Sequence, residues 1–470
     1  MADGTNPYQA MFDRLAQRER VLARTSAEER IAKLRALYRA VYDLRDAISQ
    51  AGHDELGMDG KLHLIPLKGE VDYICENLAS WMAPAEVEAR PELMGRRGYV
   101  HYEPKGVVLH IATWNSPILI ALSPLLSMMA AGNAVVLKPS EITPKNAALV
   151  RRIIEQAGLA EDVAVVEGGV PETQALLDLP FNHICYVGNN RVGRLIMAAA
   201  AKHFAGVTLE MGGKNPAIVT PDADIEDAAA KLIMGRTVIS GQVCLSPDYV
   251  MVHESREADL VAALKNKITE MFDPAGEGVA ASRDFARIVS NGHFQRITAL
   301  VEDAKAKGAQ IAAGGDSDAA TRFIAPTVMT GITNEMEIAD EEIFGPVLLV
   351  RPYATREDAV AEINRRPKPL GLYVFTADRD EAQWFIDNTR AGTSAINNTV
   401  VQANVATLPF GGCNHSGIGR LGGAAGFREF SNDRAVVEDG YEPATRSMMH
   451  YPPFPPEAGA FVDMMLTPSA

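Results

Sequence analysis

Apolar positions along this chain follow two different rhythms. Ile31, Leu34, Leu37, Val41 and Leu44 recur at helical spacing and predict a buried stripe on one helix face. Ser26 and Glu29 supply the S-x-x-E pattern that caps a helix start. A polar-faced helical region follows to about Trp81. From Gly106 the rhythm changes to short apolar runs. Strands are predicted over 107–112, 134–137, 163–166, 183–187 and 207–210. Between them the spacing predicts helices over 117–130, 144–158 and 172–177, then a turn at 188–193 and a helix to His203. Thr143-Pro144 reads as an N-cap followed by proline at the first helical position. The alternation resumes with strands at 248–252 and 370–375 and helices at 256–271 and 291–307. The last forty or so residues lose periodicity and read as an extended arm or tail.

Strands alternating with helices imply βαβ units, parallel sheets and an α/β fold. Such sheets bind ligands outside the C-terminal ends of their strands. Lys138, Gly188 and Glu210 all fall at such ends.

Length and composition narrow this picture. A chain of 470 residues exceeds what one core organises and implies two or three domains. The net charge of -15 argues against nucleic acid and against an anionic membrane surface as partners. Four cysteines, Cys75, Cys185, Cys244 and Cys413, are too few and too scattered for a disulfide framework or a CxxC metal site. They are expected to be reduced thiols. The N-terminal residues are polar, and the most apolar run, 118–131, is too short to span a bilayer. A cytoplasmic protein is the expectation.

Generic motif scans give little. Gly417 to Gly422 matches G-x-G-x-x-G but lacks a preceding strand, so it reads as a loop whose glycines supply positive φ. Gly188 to Gly193 resembles the opening of a phosphate loop, yet continues with Arg194-Leu195. Phosphate contact at a helix N-terminus and a plain turn both stay open there. There is no G-x-S-x-G, no H-E-x-x-H, and the ten histidines are scattered, so no metal is expected. Taken alone, Cys244 would be an inert buried thiol, Glu210 a solvated strand-end carboxylate and Asn115 a turn residue.

Seven segments in order change that. They are Thr113-Trp114-Asn115-Ser116-Pro117, Ala131 to Glu141, Tyr186-Val187-Gly188-Asn189, Leu209 to Pro216, Gly241-Gln242-Val243-Cys244, Glu342 to Pro346 and Leu408 to Gly412. Together they resemble the aldehyde dehydrogenase superfamily. Asn189, Pro247-Asp248-Tyr249, Leu372 to Phe375 and Tyr451-Pro452-Pro453 resemble its class 3 branch of coniferyl and fatty aldehyde dehydrogenases. Val243 departs from the family's commoner Thr, and Cys413 to His415 and Leu421 to Ala425 are unusual.

The resemblance implies a Rossmann-like NAD-binding domain over 1–210, interrupted by an arm segment at about 86–104. It further implies a catalytic domain over 211–431 and an oligomerisation arm and tail over 432–470 that joins a homodimer. Cys244 would be the nucleophile, Glu210 the general base, and Asn115 with the Cys244 backbone N–H the oxyanion hole. Trp114, Lys138, Ser140, Glu141, Gly188, Asn189, Val192, Gly193, Glu342 and Phe344 would contact the cofactor. NAD is favoured because Glu141 would repel a 2′-phosphate, with NADP also accepted. The implied substrate is an apolar, aromatic or medium-chain aldehyde. Trp114, Phe410 and Tyr373 are expected either along its tunnel or in the core. Relatives that acylate coenzyme A generally lack the glutamate, and non-catalytic proteins on this fold are the other alternative.

Overall fold

A computed structural model describes residues 6–90, 93, 96–441, 452–454 and 456–468. Tyr451 of the Tyr451-Pro452-Pro453 motif lies outside the described residues. Two large sheets, a three-stranded sheet and a two-stranded ribbon of Ser317–Asp318 with Phe323–Ile324 are found among the described residues.

The first large sheet runs in the order Gly417–Ile418, Gly206–Met211, His183–Gly188, Val107–Ile111, Ala134–Lys138, Val163–Val165. All neighbours are parallel except the first, which pairs antiparallel with Gly206–Met211. Its central strands are buried on both faces, which explains their unbroken apolar runs. The second large sheet has seven strands in the order Gln310–Ala313, Thr327–Thr330, Val347–Tyr353, Tyr249–His253, Pro216–Val219, Gly371–Phe375, Thr393–Ile396. The third is antiparallel and joins Ala85–Glu86, Arg97–Pro104 and Ser431–Glu438.

Local chemistry sets the helix boundaries. The Ser26–Glu29 capping box is fully formed at the start of Ala27–Asp43. An earlier helix, Gln9–Leu22, escaped the sequence pattern because only Phe12, Leu15 and Leu22 of its polar run are buried. Thr143 makes no capping bond. Instead Glu55, from the Arg45–Leu56 helix, accepts from the Lys145 and Asn146 backbone N–H groups at 2.7 and 3.2 Å. Within Pro117–Ala131, Pro124 has no N–H for the Ile120 carbonyl. The buried His110 Nε2–H donates to that carbonyl at 2.9 Å. The tail corrects its aperiodic expectation, since Ala458–Leu466 is helical.

The chain closes on itself. Leu421, Phe427 and Phe430 enter the core under Pro117–Ala131, so part of the stretch 211–431 packs with the first sheet. Gly417 pairs with Glu210, and the Met211 N–H donates to the Ser416 carbonyl at 3.0 Å. The glycine-rich loop has positive φ at Gly417, Gly419, Gly422 and Gly423, as its composition predicts. It also contributes a short edge strand that the motif scan missed.

Candidate active site

Cys244 lies on a backbone held in an uncommon shape. Ile239, Ser240 and Gly241 have φ of +48°, +54° and +74°. Such left-handed residues other than glycine cost about 1–3 kcal/mol each and persist only where surroundings fix them. Gln242 supplies that fixing. Its buried side-chain amide donates to the Ile239 and Arg287 carbonyls at 2.8 and 3.0 Å and accepts from the Val289 N–H at 3.0 Å. A Cβ on Gly241 would lie 2.2 Å from the Gly345 carbonyl oxygen, so only glycine fits. Asn215 ties down the far side. Its Nδ2 donates to the Cys244 and Ser246 carbonyls at 2.7 and 3.0 Å, and its Oδ1 accepts from the Gly371 N–H at 2.9 Å. The Tyr373 hydroxyl donates to the Leu245 carbonyl. Tyr373 is fully buried, a strut under the cysteine loop and not a tunnel wall.

Under this loop sits a buried charge network. Arg236 meets Asp248 at 3.1 Å, and Lys214 lies 3.7 Å from the same carboxylate. Arg236 also donates to the Pro247 and Gly345 carbonyls. Lys214 donates to the Ile338 and Glu341 carbonyls at 2.7 and 2.9 Å. Asp248 accepts from the Ile343 N–H at 3.1 Å. Cys244 and the Glu342–Phe344 segment are thereby fixed to one frame.

On the reactive face, the Glu210 carboxyl and the Cys244 thiol lie close enough to shift each other's protonation. Glu210 is 4% exposed, and its Oε1 has no hydrogen-bond partner. Burial pushes its carboxyl up to about 8, with the thiol contact pulling down and the Glu342 charge pushing further up. Burial and the charges of Glu210 and Glu342 also raise the Cys244 thiol, while its own backbone N–H lowers it. Two incipient anions in contact share one proton more readily than they lose both. Asn115 Nδ2 donates to the Gln242 carbonyl at 2.9 Å. A primary amide has two N–H donors, so one is left over for a further acceptor. Cys244, Glu210 and Asn115 are therefore assembled around one loop.

Glu342 is half-buried, and burial pushes its carboxyl up to about 7. Asp248 raises it further, and the Gly213 N–H opposes both. A Cβ on Gly212 would fall 1.9 Å from Glu342 Oε1, so glycine is required where this carboxyl seats. Phe344, at φ +48°, meets Trp114 edge-on at 5.6 Å. Trp114 also packs on His293 at 5.1 Å.

The other predicted contacts lie at the first sheet's strand ends. Lys138 is buried, and its Nζ donates to Glu141 Oε2 at 3.1 Å. Ser140 Oγ accepts from the Ile142 N–H at 3.3 Å. The expected turn at 188–193 is corrected: the helix begins at Asn190, with Asn189 as its cap. Asn189 Oδ1 accepts from the Val192 N–H at 3.0 Å. Gly193 is thus helical, and a Cβ there would meet Met211 Sδ at 2.5 Å. A Cβ on Gly188 would meet Tyr186 Oη at 2.2 Å. Phe410 is half-buried against the first core.

Sequence reasoning passed over Arg236, Asp248 and Gln242 as functional supports. Each stands close to Cys244 in sequence, but each also bonds a distant segment: Arg236 the Gly345 carbonyl, Asp248 the Ile343 N–H, and Gln242 Arg287 and Val289. A buried Arg amid the apolar 225–237 helix was the available signal.

A family model described as "Aldehyde dehydrogenase family" matches residues 5–436. The chain is 39% identical to "Aldehyde dehydrogenase, dimeric NADP-preferring" of dog over 412 residues, 87% of this chain and 89% of that protein. It is 38% identical to the 4,4'-diaponeurosporen-aldehyde dehydrogenase of Staphylococcus aureus over 381 residues, 81% of each chain. The solved substrate-bound state of Staphylococcus aureus AldH superposes with a TM-score of 0.91 at 33% identity, covering 98% of this chain and 100% of that one.

Proposed function

The chain belongs to the aldehyde dehydrogenase family, and from that premise we propose that it oxidises an aldehyde to the free carboxylic acid through a thioester on Cys244. The pairing of a buried Glu210 carboxyl with the Cys244 thiol, each shifting the other's protonation, carries this reading. A nucleophile beside a buried base is the arrangement that activated covalent catalysis uses.

The residues fit a nicotinamide dinucleotide. Gly188, Gly193 and Gly212 stand where a Cβ would collide with its surroundings. Lys138 and Glu141 would hold the adenine ribose, with Ser140 beside them. Gly188, Asn189, Val192 and Gly193 would lie along the pyrophosphate, Glu342 at the nicotinamide ribose, and Phe344 and Trp114 at the ring. When bound, NAD or NADP supplies the hydride acceptor. Glu141 favours NAD, and the NADP preference in the dog relative's name keeps both in use.

The protein's own steps follow from its atoms. The Cys244 sulfur bonds the aldehyde carbon, and its proton passes to Glu210. The resulting oxyanion is held by the second Asn115 N–H and the Cys244 backbone N–H. Loss of hydride leaves an acyl thioester on sulfur. Glu210 releases the thiol proton to solvent and then takes one from water, whose oxygen bonds the acyl carbon; the carbon–sulfur bond breaks to release the acid, and the proton on Glu210 returns to the Cys244 sulfur. An unpaired Glu210 Oε1 is the acceptor such a water requires.

The divisions 1–210, 211–431 and 432–470, with the arm segment at about 86–104, are proposed as the cofactor, catalytic and arm units. Among the described residues, Ser431–Glu438 and Thr393–Ile396 are the outermost strands of their sheets. A second copy pairing there would make the homodimer, and one dog relative is named dimeric. No helix of the described residues is long and apolar enough to cross a membrane. The cytoplasm is the compartment proposed.

The test is NADH formation by purified protein with NAD and a panel of aldehydes. Acid and NADH in equal amounts without added acceptor support the reading. No NADH with any aldehyde overturns the enzyme reading. NADH only with coenzyme A overturns hydrolysis.

A further inference from the structure

The Pro117–Ala131 helix begins directly after Asn115 and Ser116 and is buried along nearly all its length. Leu119, Ile120 and Ser123 are its exceptions, each half-buried. Positions 119, 120 and 123 share one helix face, so partial exposure runs in a strip along this face from the end nearest Asn115.

At the far end of the strip is a buried carboxyl that the reaction does not use. Glu70, on the Leu64–Met82 helix, is 7% exposed. The Ser123 hydroxyl donates to Glu70 Oε2 at 2.5 Å. Glu70 Oε1 has no hydrogen-bond partner. An acidic group here costs stability, as burial pushes its carboxyl up to about 7. Packing alone would be served better by an apolar residue.

Because the Ser123 proton is committed to Glu70, the Ser123 oxygen is left to accept. Seven residues separate Ser116 from Ser123, which at ~1.5 Å per residue puts the pair about 10 Å along the helix from the oxyanion end. We propose that Ser123, backed by Glu70, forms a subsite for a hydroxyl on the aldehyde, placed about 10 Å from its carbonyl. The substrate O–H donates to Ser123 Oγ, whose own O–H donates to Glu70. A hydroxyl suits the pair with Glu70 ionised or protonated, since it both donates and accepts. Ser123 makes the contact; Glu70 is a positioning residue that orients its hydroxyl. The inference rests on the aldehyde dehydrogenase reading.

The experiment compares octanal with 8-hydroxyoctanal, an aldehyde whose extended length matches the strip. The expected kcat/KM for the hydroxylated aldehyde is about tenfold higher, carried by a lower KM, because a built polar site discriminates against a partner that leaves it unpaired. Ser123→Ala and Glu70→Gln should each bring the ratio toward one. Equal kcat/KM for the two aldehydes in the unmodified protein overturns the proposal, and needs no variant to fold. A tenfold ratio that persists in Ser123→Ala also overturns it. No NADH from either aldehyde, or from any other, marks failure of the underlying enzyme reading instead.

Discussion

The cysteine loop and the start of the Asn190–Ala201 helix are both sites of predicted ligand contact, and they are built in opposite ways. Around Cys244 the backbone is strained, the polar groups are buried, and several of the bonds reach segments remote in sequence. Gln242 reaches Arg287 and Val289, Arg236 reaches Gly345, and Asn215 joins Cys244 to Gly371. At the helix start, and at the end of the Ala134–Lys138 strand, the bonds are local. Asn189 caps Val192, Lys138 pairs with Glu141 three residues on, and Ser140 bonds Ile142. Chemistry needs atoms held to a fraction of an ångström, which takes cross-links from several segments. Holding a long cofactor needs an accessible strand end and a helix N-terminus, which short-range bonds provide.

The contrast breaks most readily at the buried network. Asp248→Ala leaves Arg236 and Lys214 without their carboxylate and should cost about 3–5 kcal/mol of stability, read as a lowered midpoint in urea. A loss below 1 kcal/mol would mean the network does not brace the loop. Asn115→Ala should keep the fold and reduce kcat by about 10²–10³, the usual loss for one oxyanion donor. Near-normal kcat would remove Asn115 from that role. Hydrolysis should be pH-dependent in one direction. The base works deprotonated, and the Glu210 carboxyl is raised to about 8, so thioester breakdown should climb as pH rises through that value and fall below it. A flat profile would contradict the base assignment. Asn189→Ala should have the smallest effect, about 1 kcal/mol for a lost cap, with a modest rise in KM for NAD and little change in kcat. A collapse of kcat there would erase the difference between the two regions.

The same contrast explains what was legible in the sequence. Local features came through. The apolar runs marked the strands of the first sheet, the Ser26–Glu29 cap was plain, and the strand ends carrying Lys138, Gly188 and Glu210 followed from alternation alone. The ordered motifs pointed to Cys244, Glu210 and Asn115, which the fold gathers around one loop. What escaped was non-local. Tyr373 looked like any aromatic in a strand, and its hydroxyl's contact with Leu245 depends on two segments meeting. Glu55 capping a helix 90 residues on has no sequence signature. The Gln9–Leu22 helix hid behind its charge, and Gly417 gave no hint that it would lie beside Glu210.

Glu210 is the point on which the account turns, because it separates hydrolysis from every other fate of the thioester. The direct test is rapid-mixing kinetics of Glu210→Gln with NAD and a reactive aldehyde. The account predicts a burst of NADH of about one equivalent per Cys244, followed by steady turnover slowed by several orders of magnitude. Undiminished steady turnover would contradict it.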